Sequence, residues 1–258
     1  MTDSELDVRL EGGALWLTLD RPEVFNALSP RMADDLARLL EEAVARDEVR
    51  VVVLTGPGAA FSPGADIAGA DAHEKFDVRA LDAANRIIRA IVALDKPVVA
   101  AVNGIAAGVG CSAALAADIV VATRSASFLL AFARIGLMPD GGASATVAAS
   151  IGRARAMRMG LLAEPLTAQE AYDAGLVTHV VADDDFASTV ATLVGRLAAG
   201  PPLALAATKR AINAATLPQL EGALERERTG QSLLLRTADV AEGMRAFGEH
   251  RRPVFRGE

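Results

Sequence analysis

The sequence is poor in residues on which several classes of protein depend. Cysteine occurs once, as Cys111, so no disulfide can form within the chain, and this favours a reducing compartment. Aromatic residues make up only 4%, so alanine and the aliphatic side chains must fill the core. The net charge is −7 and no basic stripe is present, which argues against nucleic acid as a partner. The three histidines lack metal-ligand spacing, so we expect no metal.

A long, uninterrupted apolar run is also missing. The longest one near the middle of the chain is rich in Gly and Ala and is interrupted by Asn103, so it is too weak to span a bilayer. The first residues, 1–7, are acidic and lack the basic and apolar regions of a signal peptide. With 258 residues, 52% of them apolar and 23% charged, we expect a compact cytoplasmic protein that does not bind membranes.

Strands alternate with helices in the first two thirds of the chain. Gly12-Gly13 joins two predicted strands, and Ser29-Pro30 predicts the start of a helix. Continuous apolar runs predict strands buried on both faces, whereas the Gly- and Pro-rich segment 56–64 predicts a loop. The predicted strands are 7–10, 14–19, 51–54, 97–102, 119–122 and 178–181, and a further helix is predicted at 79–94.

From Gly141 onward the pattern turns mostly helical. The fold class is therefore predicted to be α/β, with a core at 1–199 and a C-terminal helical region at 200–258. The C-terminal helices carry many Ala and Leu residues, Leu233-Leu234-Leu235 among them, which is more apolar surface than a small appendage would hide.

Four short motifs follow one another along nearly the whole chain. The first two are Leu19-Asp20-Arg21-Pro22 with Asn26-Ala27-Leu28, and Leu54-Thr55-Gly56 with Ala60-Phe61-Ser62-Pro63-Gly64-Ala65-Asp66-Ile67. The others are Ala101-Val102-Asn103-Gly104 with Gly108-Val109-Gly110-Cys111 and Ala117-Asp118-Ile119, and the tail Ala246-Phe247 with Arg251-Arg252-Pro253 and Phe255. Together they resemble the crotonase (enoyl-CoA hydratase/isomerase) family, most closely its members with Pro-Asp-Gly-Gly in place of the catalytic-glutamate arrangement.

The resemblance implies a spiral of β-β-α units with a C-terminal helical region that makes a trimer, often paired into a hexamer. It implies an acyl-CoA thioester as substrate, with coenzyme A bound as part of that substrate and no separate cofactor. A segment at 70–76 looks like the loop over the acyl chain, and Lys209 is either a phosphate contact or an ordinary exposed lysine. The positions implied to bind acyl-CoA are Val24, Ala27, Gly64, Asp66, Ile67, Ile105, Gly108, Phe132 and Pro139.

Two Gly-led turns are suited to stabilising a thioester enolate. In the family the two oxyanion donors are backbone N–H groups, at the positions of Ala65 and Val109. Gly64 precedes the first donor and follows a buried strand, while Gly108 precedes the second where a turn enters a helix. Free N–H groups at a helix N-terminus favour an anion. The second donor position is usually Gly, so the Val109 side chain narrows the pocket beside the thioester.

The two glutamates of the family's hydratases are missing. Their positions are filled by Ser112 and Phe132, and neither side chain is a carboxylate. One acid remains nearby, Asp140, at the position where an aspartate faces the acyl chain in related isomerases. Its apolar neighbours should raise its pKa toward a range useful for moving a proton between two carbons. An equally open interpretation is that Asp140 caps the helix predicted from Gly141.

Isomerisation of an enoyl-CoA with Asp140 as acid and base is the favoured function. A hydratase with a non-standard site and a non-catalytic acyl-CoA binder remain alternatives. Ser112 lies in a near match to the nucleophile elbow of hydrolases, but Ala114 replaces its last glycine and no histidine stands in a triad context. The segment 55–61 resembles a dinucleotide loop, yet Phe61 takes the place of its third glycine.

Overall fold

A computed structural model describes residues 5–67 and 77–258 of the chain, so the predicted loop at 70–76 lies outside the described residues. Ten strands lie in these ranges: β1 (Leu6–Glu11), β2 (Ala14–Leu19), β3 (Val51–Thr55), β4 (Ala60–Ser62), β5 (Val98–Val102), β6 (Ile105–Ala107), β7 (Ile119–Thr123), β8 (Ser127–Leu129), β9 (Leu166–Thr167) and β10 (His179–Val181). The same ranges hold nine α-helices: α1 (Pro30–Glu42), α2 (Val78–Ala93), α3 (Gly108–Ala116), α4 (Ala143–Leu162), α5 (Ala168–Asp173), α6 (Phe186–Ala198), α7 (Pro202–Thr216), α8 (Leu220–Leu234) and α9 (Ala238–Gly248).

Six strands form the larger sheet, in the order β1-β2-β3-β5-β7-β10, and four short strands form a second sheet in the order β4-β6-β8-β9. In the larger sheet β1 runs antiparallel to β2, and the remaining neighbours are parallel. Val51, Val52 and Val53 are each 0% exposed although they point alternately to the two faces. Burial on both faces explains why the strands read as unbroken apolar runs in the sequence.

The predicted strands and the two predicted helices are confirmed to within about two residues at their ends. Helix α1 begins where Ser29-Pro30 predicts, because the Ser29 hydroxyl accepts a hydrogen bond from the Met32 N–H at 3.0 Å. Its apolar face includes Met32, Leu36 and Leu40, all of which are buried against the larger sheet's core cluster.

The prediction of a continuous loop at 56–64 is wrong over three residues. Ala60–Ser62 forms β4, which pairs in parallel with β6 at Ile105–Ala107, just before the turn at Gly108. Strands of three residues are too short to show an alternating pattern of their own. The pairing matters for the site, because each of the two strands leads directly into one of the Gly-led turns.

The C-terminal helices pack on the chain's own core. Helix α8 contacts α2 and α4, and α9 contacts the 3₁₀ turn Ala131–Ile135. Leu234 and Leu235 pack against the core cluster, while Leu233 remains 65% exposed. The division at residue 200 falls between α6 and α7, and its status as a domain boundary stays a prediction.

In the described part of the chain, no single helix combines the length and the apolar character needed to cross a bilayer. The segments Asp183–Ala198 and Pro202–Thr216 satisfy the length and composition criteria only as a pair bent by 105°.

Candidate active site

The first Gly-led turn follows β4 and is held by a bridge to Leu28. The Leu28 N–H donates to the Gly64 carbonyl at 2.8 Å, and the Asp66 N–H donates to the Leu28 carbonyl at 3.0 Å. The N–H of Ala65, between these two bonds, points to the opposite side and has no acceptor among the described residues. A half-buried backbone donor is thus left available to a ligand.

Two buried polar side chains fix this turn. The Ser62 hydroxyl accepts the Gly64 N–H at 3.2 Å and donates to the Asn26 carbonyl at 2.9 Å. The Asn26 amide in turn donates to the carbonyls of Ala60 and Pro57 at 2.8 and 2.9 Å. Both residues stand in the motifs that carry the resemblance, but their supporting role is visible only once the long-range contacts are known.

The second Gly-led turn is the start of α3. Gly108 has φ +52°, a conformation that favours glycine, and it lies close to Gly64. Val109 is the second residue of the helix, so its N–H has no intrahelical partner, and Ala107 provides no side-chain cap. The helix therefore presents the positive end of its dipole at this point, with an N–H that has no acceptor in the described part of the chain.

The two turns meet closely. A Cβ atom added to Gly64, whose φ is +102°, would lie 3.1 Å from the Val109 nitrogen and 3.4 Å from the Gly108 Cα. Only glycine allows this approach, so the turn that carries the Ala65 N–H lies against the start of α3 at the Val109 nitrogen. Two converging backbone donors can stabilise a carbonyl oxygen that gains negative charge.

The turn that carries Asp140 packs against the same place. A Cβ atom added to Gly141 would lie 3.4 Å from Cγ2 of Val109 and 3.0 Å from Cβ of Ser112. The Ser112 hydroxyl is fully buried and donates to the backbone carbonyl of Asp140 at 2.8 Å. Ser112 therefore holds the turn in place. Its hydroxyl proton is used in the hydrogen bond to the Asp140 carbonyl.

Asp140 is buried, with 5% of its surface exposed. Its Oδ2 accepts a hydrogen bond from Nε2 of Gln231 at 2.9 Å, whereas the buried Oδ1 has no partner among the described residues. Burial raises the pKa of Asp140 to about 7; the Gln231 hydrogen bond acts to lower it, and the nearby negative charge of Glu227 acts to raise it. A carboxyl with this pKa can both accept and donate a proton near neutral pH.

The interpretation of Asp140 as a helix cap is wrong. Helix α4 begins at Ala143, its N-cap residue is Gly142, and the Asp140 side chain takes no part in the cap. The Glu227 carboxylate caps the helix instead, because it accepts hydrogen bonds from the backbone N–H groups of Gly142 at 2.7 Å and Ser144 at 2.9 Å. No local pattern in the sequence could reveal this cap, because Glu227 lies about 85 residues further along the chain.

The other predicted acyl-CoA positions fall into three groups. Arg21 joins the segment 24–27 to the first turn, because its Nη1 donates to the Ala27 carbonyl at 2.8 Å and to Asp66 at 3.0 Å. Phe132 is 7% exposed and lies in the core cluster, and Pro139 lies beside Asp140 on the third turn. Ile105 is 45% exposed, and its strand β6 leads into Gly108.

Both interpretations of Lys209 are wrong. The side chain is 8% exposed, and its Nζ lies 2.8 Å from Oδ2 of Asp118 and 2.8 Å from the Ile91 carbonyl. Burial lowers the pKa of Lys209, and Asp118 opposes that effect. A lysine held inside the protein in this way is neither an exposed residue nor a contact for a coenzyme phosphate.

A separate cavity of about 490 Å³ lies between Trp16 of β2 and helix α6. None of the predicted site residues lines it. We therefore locate the candidate site at the meeting point of the three turns, around Gly64, Val109 and Asp140.

Comparison with known proteins identifies the class to which this fold and site belong. A family model described as Enoyl-CoA hydratase/isomerase matches residues 9–258. The chain is 39% identical over 254 residues to the 1,2-epoxyphenylacetyl-CoA isomerase of Escherichia coli (strain K12), covering 96% of this chain and 97% of that protein. It is 43% identical over 247 residues to a probable enoyl-CoA hydratase of Rhodobacter capsulatus, covering 95% of each.

A solved structure extends the likeness to three dimensions. The crystal structure of an enoyl-CoA hydratase from Mycobacterium avium subsp. paratuberculosis K-10 superposes with a TM-score of 0.92 at 48% identity, covering 98% of this chain and 99% of that one. The chain belongs to the enoyl-CoA hydratase/isomerase family. The predicted α/β fold of crotonase type is confirmed, and so is the prediction of an acyl-CoA-processing enzyme of the hydratase/isomerase kind.

Proposed function

We propose that the enzyme moves a double bond along the acyl chain of an enoyl-CoA, with Asp140 as the acid and base. The observation that carries this proposal is the buried Asp140 carboxyl, which has one oxygen without a hydrogen-bond partner among the described residues and is followed by Gly141, close to the Val109 side chain. The N–H groups of Ala65 and Val109 hold the thioester oxygen. In a 3-enoyl-CoA, Asp140 takes the proton from C2, the enolate charge rests on the held oxygen, and the same proton is returned to C4.

The energetic contributions are of the right size for this step. A preorganised oxyanion donor is typically worth about 3–4 kcal/mol of transition-state stabilisation. General acid–base catalysis adds roughly 10²–10⁴-fold when the pKa of the group lies near the working pH. A pKa of about 7 for Asp140 meets that condition.

The missing carboxylates favour isomerisation over hydration. A hydratase must hold and activate a water, and Ser112 and Phe132 stand where the family's hydratases carry glutamates. The similarity to a 1,2-epoxyphenylacetyl-CoA isomerase supports the same choice. A hydratase with Asp140 as its one acid–base group is the second candidate, because a 2,3-dehydroadipyl-CoA hydratase of Escherichia coli (strain K12) is 37% identical over 98% of this chain.

The remaining features of the proposal follow from the family and the surface. Coenzyme A enters as part of the substrate, and the three turns need no separate cofactor. Exposed apolar side chains on the C-terminal helices, with Leu203 at 84%, Ile212 at 56% and Leu233 at 65%, support a homotrimer or a hexamer. We place the enzyme in the cytoplasm, in keeping with its single, buried cysteine.

The decisive experiment compares the wild type with Asp140→Asn. We expect the wild type to convert a 3-enoyl-CoA into the 2-enoyl isomer, and the variant to lose at least about 100-fold in kcat while its affinity for a saturated acyl-CoA, measured by calorimetry, is unchanged. Retention of isomerase or hydratase turnover in the variant would overturn the assignment of Asp140. Acyl-CoA binding without turnover on any enoyl substrate would instead identify a non-catalytic binder.

A further inference from the structure

Helix α8 delivers a fully buried amide to Asp140. Gln231 is 0% exposed, its Oε1 accepts the Met138 N–H at 3.1 Å, and its Nε2 donates to Oδ2 of Asp140 at 2.9 Å. A backbone N–H is only a donor, so the amide must turn its oxygen toward Met138. Its nitrogen must then face Asp140, and the orientation of the amide is fixed by the protein itself.

This orientation makes the two oxygens of Asp140 unequal. An N–H group is always directed at Oδ2, so Oδ2 must be an acceptor whether the carboxyl is charged or neutral. Because the carbonyl oxygen of a neutral carboxyl accepts a hydrogen bond better than its hydroxyl oxygen does, the proton is favoured on Oδ1, the oxygen that is buried without a partner among the described residues. We infer that Gln231 is a positioning residue that reserves Oδ1 of Asp140 as the oxygen that carries the transferred proton.

The groups around Asp140 determine in which direction its pKa should move when each of them is removed. Besides Gln231, helix α8 places the charge of Glu227 near Asp140, and Glu227 in turn lies near the charge of Arg226. Helix α3 contributes Ser112, whose hydroxyl donates to the backbone carbonyl of Asp140. The Gln231 N–H stabilises the carboxylate and so lowers the pKa of Asp140, whereas the negative charge of Glu227 raises it. Removing these two groups should therefore shift the pKa in opposite directions.

The inference rests on the proposed function of Asp140, but its first test does not require turnover. Infrared difference spectroscopy across a pH titration should show the C=O stretch of protonated Asp140 as a band that is absent in Asp140→Asn. In Gln231→Met that band should move to higher wavenumber, because the C=O oxygen, Oδ2, loses its hydrogen-bond donor. An unchanged band in a folded Gln231→Met variant would overturn the inference.

The second test follows kcat/KM with a 3-enoyl-CoA against pH. In Gln231→Met the acidic limb should move upward by about one pH unit, a tenfold change in the ionisation equilibrium, and in Glu227→Gln it should move downward. Gln231→Glu retains the acceptor for the Met138 N–H and should also move the limb upward. Shifts of the same sign in Gln231→Met and Glu227→Gln, or no shifts, would contradict the inference.

Matched controls lie on or beside the same helix. Glu225→Gln and Gln219→Met repeat the two substitutions at exposed positions and should leave the pH profile at its wild-type position. If Asp140→Asn retains turnover, the proposed function fails. If Asp140→Asn is inactive but the Gln231 and Glu227 variants leave the band and the profile unmoved, the proposed function stands and only the inference about Gln231 fails.

Discussion

Two glycines, Gly64 and Gly108, are among the residues on which the candidate site depends most directly. Gly64 and Gly108 both have positive φ and lie against each other, with a distance of 3.7 Å between Cα of Gly64 and the place of a Cβ on Gly108. Their contact places the turn that carries Ala65 against the start of α3, which carries Val109. The proposed chemistry therefore depends on backbone geometry rather than on the side chains of Ser112 and Phe132, which stand at the positions of the family's glutamates.

Gly64→Ala should abolish most activity. The methyl group would lie 3.1 Å from the Val109 nitrogen, and a residue other than glycine at φ +102° adds about 1–3 kcal/mol of backbone strain. Displacing one oxyanion donor should reduce kcat by roughly 10²–10³-fold. Steady-state kinetics together with thermal unfolding would measure both effects.

Gly58→Ala is the matched control for this prediction. Gly58 also has a positive φ, of +76°, but an added Cβ would meet only Cβ of Pro22 at 3.8 Å. It should show a comparable loss of stability with nearly unchanged kcat. Equal losses of activity in the two variants would contradict the role of the close approach at Gly64.

Among the secondary-structure elements, α7 is attached to the core by one buried ion pair. Lys209 reaches Asp118, which precedes β7, and it donates to the carbonyls of Ile91 and Lys96 at 2.8 and 3.2 Å. Asp118 also accepts the Val98 N–H at 2.7 Å, so the pair joins a helix to two adjacent strands. Burial raises the pKa of Asp118, and Lys209 opposes that shift.

Lys209→Met should destabilise the protein strongly without changing the chemistry of the site. It leaves a buried carboxylate without its cation, which typically costs about 3–5 kcal/mol, and the double variant Lys209→Met/Asp118→Asn should recover part of that loss. Chemical denaturation of the three proteins would measure the difference in unfolding free energy.

The neighbouring residue provides the control. Arg210 forms an ion pair with Asp95 at 2.6 Å, but both side chains are more than half exposed, so Arg210→Met should change the stability little. A stability loss in Lys209→Met no larger than that in Arg210→Met would show that the buried pair does not attach α7.

Across the whole molecule, the sequence predicts the elements that repeat a pattern and misses the contacts that join distant segments. Unbroken apolar runs predict the parallel strands, whereas the donor positions Ala65 and Val109 come from the family resemblance, with which the two Gly-led turns are consistent. The bonds of Gln231 to Asp140 and of Lys209 to Ile91 span 91 and 118 residues, and no periodicity encodes such pairs. The environment of Asp140 therefore becomes visible only in the folded chain.

The buried acids also determine how the stability of the whole protein depends on pH. The pKa of Asp140 is about 7 in the folded protein against an ordinary value of 3.8, and burial raises the pKa of Asp118 and Glu227 as well. Between roughly pH 4 and pH 7 the folded state keeps the proton on Asp140, while the unfolded chain has released it. Because the folded state then binds more protons, its stability falls as pH rises through this window.

Asp140→Asn should remove the contribution of Asp140 to the fall in stability between pH 4 and pH 7. The difference in unfolding free energy between Asp140→Asn and the wild type should grow in favour of the variant from pH 4 to pH 7 and then level off. The pKa of about 7 against the ordinary 3.8 sets an upper bound of about 4 kcal/mol on that growth. Urea denaturation at a series of pH values would measure it, and a difference that stays constant with pH would show that Asp140 titrates normally in the folded protein. The variant that we expect to be inactive should then be the more stable protein at neutral pH, because the burial that raises the pKa of Asp140 opposes its ionisation.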